Sequence, residues 1–190
     1  MHIIALIELL FCLFVPAVML AQEPPPVAAV AQANPLMANN KFMNKAVQKI
    51  LLSSAENMPE ENYGFKPVET VRGFGQIVGH VADSQYHFCS IVLGEKDPGL
   101  KIEKTKTSKA DLIVALKGAF SYCDKAYDGL TDVSATQTVK FMGGDTPKLG
   151  VLNINQMHTM EHYGNLVTYM RMKNLVPPTS DPDFMKQMRK

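Results

Sequence analysis

Residues 155–178, NQMHTMEHYGNLVTYMRMKNLVPP, contain the pattern that decides the fold of this chain. Within them His158 and His162 are four residues apart, so a helix would place both imidazoles on one face. The two prolines at the end of the stretch cannot continue a helix. The pattern therefore predicts a long last helix from about Lys148 to Leu175.

Three earlier segments also have helical periodicity, and they cover residues 35–58, 73–93 and 108–132. In the first, Phe42, Ala46 and Ile50 recur at helical spacing, with Val47 and Leu51 beside them, and we expect these residues to face the core. The third begins at Ser108, with Asp111 three residues later, which is typical of a capped helix start.

The connection between the third and fourth helices is long for a helical bundle. Within it, residues 137–142 are compatible with an extended segment, and Gly143-Gly144 with a turn. No segment alternates well enough to build a sheet. The chain is therefore predicted to be an all-α four-helix bundle with a long connection between helices three and four.

The two ends of the chain differ from the predicted bundle at residues 38–180. Residues 3–21 are apolar except for Glu8, and they predict a signal peptide over residues 1–21. Residues 22–37 are rich in Pro, Ala and Gln and predict a flexible leader, while residues 181–190 form a tail. We expect an exported protein, periplasmic or secreted, without stable membrane insertion after cleavage. An uncleaved membrane anchor is the alternative.

Composition excludes some classes of protein and leaves others open. The chain is 46% hydrophobic and 19% charged, which excludes wholesale disorder. Its formal net charge is +1, so electrostatics give no support to nucleic-acid binding. Cys89 and Cys123, the only cysteines after the predicted signal peptide, are either bridged in an exported chain or small core residues.

Three histidines are the candidate metal ligands of this sequence. His158 and His162 can chelate one ion, and His80 on the second helix could supply a third imidazole. A set of three histidines leaves a coordination position open for water or substrate, as catalytic sites do. Imidazoles suit zinc, nickel or iron. Alternatively, the histidines are hydrogen-bonded core residues without a metal.

Glu161 and His87 are candidate catalytic residues. Glu161 completes an H-x-x-E-H motif, in which a glutamate can act as general base. A peptidase of that kind needs a further acidic ligand, and only Asp181 and Asp183 follow the motif. Glu161 could otherwise orient a ligand, accept a proton or simply face solvent. His87 lies about 10 Å along the helix from His80, so it can line a pocket but cannot share the ion.

Residues 75–90, GQIVGHVADSQYHFCS, together with residues 155–178 resemble the DinB-like superfamily. The resemblance implies a four-helix bundle, often dimeric, in which His80, His158 and His162 hold a divalent metal. It also implies hydrolase or thiol-transferase activity on a small-molecule substrate. The alternative is a non-catalytic, stress-associated metal-binding module.

Further residues are assigned from helical spacing alone. Four polar residues are expected beside the metal or in a pocket: Asp83, Ser84, Asn155 and Asn165. The last helix is also apolar on a second side, which suggests a homodimer interface. That side comprises Met157, Met160, Tyr163, Val167 and Met170.

Overall fold

The computed structural model describes residues 33–189, in which seven helices and one hairpin are defined. The helices are α1 (Pro35–Asn57), α2 (Phe74–Leu93), α3 (Ile102–Thr105), α4 (Lys109–Asp128), α5 (Asp132–Ala135), α6 (Lys148–Met172) and α7 (Pro182–Met188). The hairpin strands are β1 (Thr138–Phe141) and β2 (Gly144–Pro147). The predicted signal peptide and most of the predicted leader lie outside the described residues.

The four long helices form the predicted bundle. Helix α1 packs against α4 and α6, and α2 packs against the same two helices, so the order around the bundle is α1, α4, α2, α6. The all-α prediction is confirmed. Within the described part of the chain, no helix is long and apolar enough to cross a membrane.

Local residue chemistry sets the helix ends. The Ser108 hydroxyl accepts a hydrogen bond from the Asp111 backbone N–H at 3.1 Å, as a cap should. Helix α2 ends at Leu93 and is capped by Gly94, which adopts the left-handed conformation with φ of 72°. Helix α6 ends at Met172 rather than at Leu175, because Asn174 is left-handed and the Leu175 N–H turns back to the Met170 carbonyl.

Helix α6 is not the only helix that ends before its predicted limit. Helix α4 ends at Asp128, four residues before the predicted end. Helix α1 begins at Pro35, as the helical periodicity predicts, so the last residues of the predicted leader are helical and Met37 is already buried. The tail contains helix α7, whose start is capped by the Asp181 carboxylate.

The long connection between α4 and α6 contains the hairpin. β1 pairs antiparallel with β2, and Phe141 lies opposite Gly144. Met142 and Gly143 form the turn, with φ of 48° and 82°, so the turn is one residue earlier than predicted. The extended segment was predicted, but its pairing into a small sheet was not. Buried Phe141 anchors the hairpin against Phe88 of α2.

The buried face of α1 differs from the predicted one. Val47 and Leu51 are buried as expected, but Phe42 is 66% exposed. The buried stripe includes three polar side chains, Asn44, Gln48 and Ser54, and the Gln48 amide donates to the Asp124 carboxylate at 2.8 Å. A search for apolar spacing misplaces a face that contains polar residues.

The predicted dimer face on α6 is also wrong in part. Tyr163 and Met170 lie in the core, whereas Met157 and Met160 are exposed. Helix α6 packs against α1 on one side and α2 on another, so it buries apolar residues on two sides within one chain. The homodimer itself stays a prediction.

Cys89 of α2 and Cys123 of α4 form a disulfide, with Cα atoms 5.2 Å apart. Both residues are fully buried, and the Asn155 amide lies 3.3 Å from the Cys123 sulfur. The cysteines are 34 residues apart in sequence. Closing a loop of that length stabilises the fold by about 3–4 kcal/mol in the chain-entropy relation. The structure thus favours the bridged alternative.

Candidate metal centre

The three predicted histidines meet between α2 and α6. The Nε2 atom of His158 lies 3.2 Å from Nε2 of His80 and 3.1 Å from Nε2 of His162. One ring nitrogen from each residue lies within 4.8 Å of the other two. The structure therefore brings all three imidazoles to one point.

Hydrogen bonds alone cannot satisfy this arrangement. A ring nitrogen carries either one hydrogen or one lone pair, so it makes one bond in the ring plane. Nε2 of His158 faces two other ring nitrogens, and at least one of those contacts must stay unbonded. Two ligands held about 2.0–2.1 Å from one zinc ion in tetrahedral geometry would lie about 3.3–3.4 Å apart, which is close to the spacing found. Three such histidines could hold one metal ion.

The surroundings keep the imidazoles of His158 and His162 neutral. Burial, together with positive charge on His158, His80 and Arg72, lowers the pKa of His162 to about 4, and the nearby Glu103 carboxylate offsets this lowering only in part. Burial lowers the pKa of His158 as well. Neutral imidazole is the form that binds metals, so both rings are ready to act as ligands at neutral pH.

Glu103 of α3 orients His80. Its carboxylate oxygen Oε2 lies 3.1 Å from His80 Nδ1, and Oε1 accepts from Arg72 Nε at 2.9 Å. Burial would raise the pKa of Glu103, but the hydrogen bond and charge of Arg72, together with His80, bring the pKa below its usual value. The ionised carboxylate accepts the Nδ1 hydrogen and leaves the Nε2 lone pair directed at the cluster.

Helix α3 is held in place by two features of α2. The Asp83 carboxylate accepts from the backbone N–H groups of Ile102 and Glu103, at 2.8 and 3.0 Å. Gly79 lies directly beneath α3, because a Cβ built there would be 2.8 Å from the Cα of Glu103. Asp83 thus acts on the site through Glu103 and not by touching the cluster.

Sequence reasoning missed Glu103 and Arg72. A four-residue helix is too short for hydrophobic periodicity to detect, and Arg72 precedes α2 by two residues. The one signal in the sequence was Asp83, which lies on the same side of α2 as His80. A partly buried carboxylate needs hydrogen-bond donors, and here the backbone of α3 supplies them.

The other predicted site residues have separate roles. The Ser84 hydroxyl donates to the His80 carbonyl, and His87 pairs with Asp97 at 3.0 Å. Asn155 is a core residue whose amide donates to Gln85, so it does not belong to the site. Glu161 is exposed, and its negative charge partly offsets the lowering of the His158 pKa by burial.

The peptidase interpretation finds no support in the geometry. In the described residues, no carboxylate joins the three histidines as a ligand. Asp181 caps α7, accepting from the backbone N–H groups of Asp183 and Phe184. The Asp181 carboxylate therefore caps a helix and does not act as a metal ligand.

Three clefts adjoin the cluster, and one of about 320 Å³ has His80, Asp83 and His87 among its lining residues. A polar cleft of about 650 Å³ has His162, Arg72, Asn165 and Tyr169 among its lining residues. A smaller cleft of about 340 Å³ has His158 and Glu161 in its wall and is otherwise mainly apolar. Nδ1 of His158 and Nδ1 of His162 are buried without a hydrogen-bond partner among residues 33–189.

Gly79→Ala tests the packing of α3 on α2. We expect a loss of about 1–3 kcal/mol in the free energy of unfolding, since the added methyl group would overlap the Glu103 backbone. Gly164→Ala on α6 is the matched control, because nothing lies within 4 Å of its Cβ position. It should stabilise the protein by about 0.5–1 kcal/mol. Equal effects of the two substitutions in denaturant unfolding would contradict the packing described.

Comparison with known proteins supports the same architecture. The model of the DinB superfamily matches residues 43–166, a range that contains all three histidines. A DinB-like protein from Bacillus cereus ATCC 10987 is similar in structure, with a TM-score of 0.63 at 17% identity. That match covers 75% of this chain and 93% of the other.

A DinB-like protein from Bacillus subtilis is similar at a TM-score of 0.59 and 21% identity, covering 72% of this chain and 92% of its own. A search of curated proteins gives no match. At these identities the solved structures show the fold alone, whereas the family match spans most of the bundle. This chain belongs to the DinB superfamily.

Proposed function

We propose that this protein binds one divalent metal ion through His80, His158 and His162. The observation that carries the proposal is the convergence of three Nε2 atoms, with separations of 3.1 and 3.2 Å around His158. Depressed histidine pKa values and the Glu103 contact to His80 support it. An all-imidazole set suits zinc, nickel or iron.

Metal content tests this proposal directly. Purified without an affinity tag and loaded with zinc, the protein should hold about one ion per chain by elemental analysis. His158→Ala should lose that ion, because His158 contacts both of the other rings. His87→Ala is the matched control, since His87 is exposed and pairs with Asp97 outside the cluster. Equal metal content in the two variants would refute the assignment.

We also propose that the protein is a metal-dependent hydrolase, because three histidines leave one coordination position of the ion open for water or substrate. When bound, the ion would act as a Lewis acid toward a water molecule or a substrate carbonyl. Glu103 fixes the direction of His80, and Arg72 keeps Glu103 ionised. Glu161, in the wall of the same cleft as His158, would accept a proton from that water molecule.

Hydrolysis is tested by assaying the metal-loaded protein with a panel of esters, amides and lactones. Pairs of a thiol and an electrophile, assayed in parallel, test for thiol-transferase activity instead. Glu161→Gln should lower kcat by about a hundredfold or more, the usual effect of losing a proton acceptor, and leave metal content unchanged. Full activity in Glu161→Gln would remove its catalytic role. Failure of every substrate at every metal loading would instead establish the alternative, a non-catalytic metal-binding module.

We also propose export, on two grounds: the apolar stretch at residues 3–21 and the Cys89–Cys123 disulfide, which is typical of oxidising compartments. Intact mass of the full chain expressed in bacteria should show loss of the first 21 residues or a few more. Because the Cys89–Cys123 disulfide removes two hydrogen atoms, the mass should also be lower by that amount than the mass calculated for free thiols. A chain that keeps Met1 and both thiols would contradict export.

A further inference from the structure

The groove between α2 and α6 changes character along its length. The two helices run antiparallel, because Tyr169 donates to the Arg72 carbonyl at one end while Gln85 and Thr159 bond further along. The three histidines therefore lie between a polar end near Arg72 and an apolar end near Phe88. A ligand of the proposed metal can extend in either direction.

The polar end has no net charge with which to select an anion, because two cations and two carboxylates line it. Each of its two cations is already paired, Lys66 with Glu69 and Arg72 with Glu103. The Gln76 amide oxygen accepts from the Gly73 backbone N–H, and the Tyr169 hydroxyl donates to the Arg72 carbonyl. Most polar groups that line this cleft are therefore already bonded to other residues of the protein.

The apolar end is a built wall that includes a candidate metal ligand. The Phe88 ring lies edge-on to His158, with centroids 5.5 Å apart, and it contacts Phe141 of the hairpin at 5.8 Å. Ile154 and Met157 of α6 add to the wall together with Met142 at the hairpin turn. Besides His158, two polar residues line the cleft, His87 and Glu161. Its volume of about 340 Å³ falls within the usual range for small-ligand sites, about 300–1,000 Å³.

Two methionine side chains line this end and are free to move. Met142 is 87% exposed and Met157 is 67% exposed. Methionine side chains are flexible and polarisable, so they can close on apolar groups of varied shape. Both share the cleft with His158, so a ligand with one end at the cluster would bring its other end against them.

Resting on the proposed metal site, we propose that this cleft binds the acyl or alkyl part of the substrate. The polar group of that substrate would reach the three histidines, while its apolar chain lies against Phe88, Phe141 and Met157. The substrate class is therefore a small molecule with a hydrophobic chain next to its hydrolysable or metal-binding group. Met157 and Met142 act as specificity residues.

Alkyl hydroxamates test this proposal, since the hydroxamate group binds zinc and the chain reports on the cleft. Titration calorimetry of zinc-loaded protein should show hexanohydroxamate binding about tenfold to a hundredfold more tightly than acetohydroxamate, given the burial of added methylenes. Met157→Gln should remove that gain and leave acetohydroxamate affinity unchanged. The same substitution at Met172, which is 54% exposed on α6 and outside the cleft, should change neither.

The outcomes separate this proposal from the one on which it rests. If zinc binds but acetohydroxamate does not, the open coordination position of the proposed site is wrong. If both hydroxamates bind equally, or if one ending in a carboxylate binds most tightly, the apolar assignment is overturned and the metal site stands. A dimer in sedimentation that Met157→Gln dissociates would also overturn it, because a second chain would then cover the cleft.

Discussion

The contact of α2 with α6 is the constraint on which the rest of the site depends. It places one imidazole from α2 against two from α6, with ring nitrogens 3.1 and 3.2 Å apart. Neutral imidazoles so close leave at least one lone pair or hydrogen without a partner. A cation at the centre would satisfy all three Nε2 atoms. A geometry that leaves hydrogen-bonding groups unpaired in a protein core therefore suits a set of metal ligands.

The fold supports this contact with a second layer of residues that never touch the cluster centre. Gly79 allows α3 to approach α2, and Asp83 caps α3 through two backbone N–H groups. That position lets Glu103 reach His80 while Arg72 holds the other carboxylate oxygen. Positioning of one ring therefore depends on a short helix that contributes little to the core itself.

The bundle and the His158–His162 pair could be predicted from the sequence because their signals are periodic, whereas His80 was assigned through the resemblance to the DinB-like superfamily. Spacing of four places His158 and His162 on one face, and long helices show their apolar stripes over many turns. Glu103 could not be found this way, since its helix has only four residues. The α1 face was misassigned at Phe42 because polar Asn44 and Gln48 occupy buried positions. In the described residues, tertiary contacts and not local pattern decide these cases.

The most direct measurement of the central claim is X-ray absorption spectroscopy of the zinc-loaded protein. A three-histidine site predicts a first shell mainly of nitrogen at about 2.0–2.1 Å, with the outer-shell scattering of three imidazole rings. Zinc bound through sulfur, or with fewer than three imidazoles, would contradict it. In that case the close approach of His80, His158 and His162 would not be a metal site.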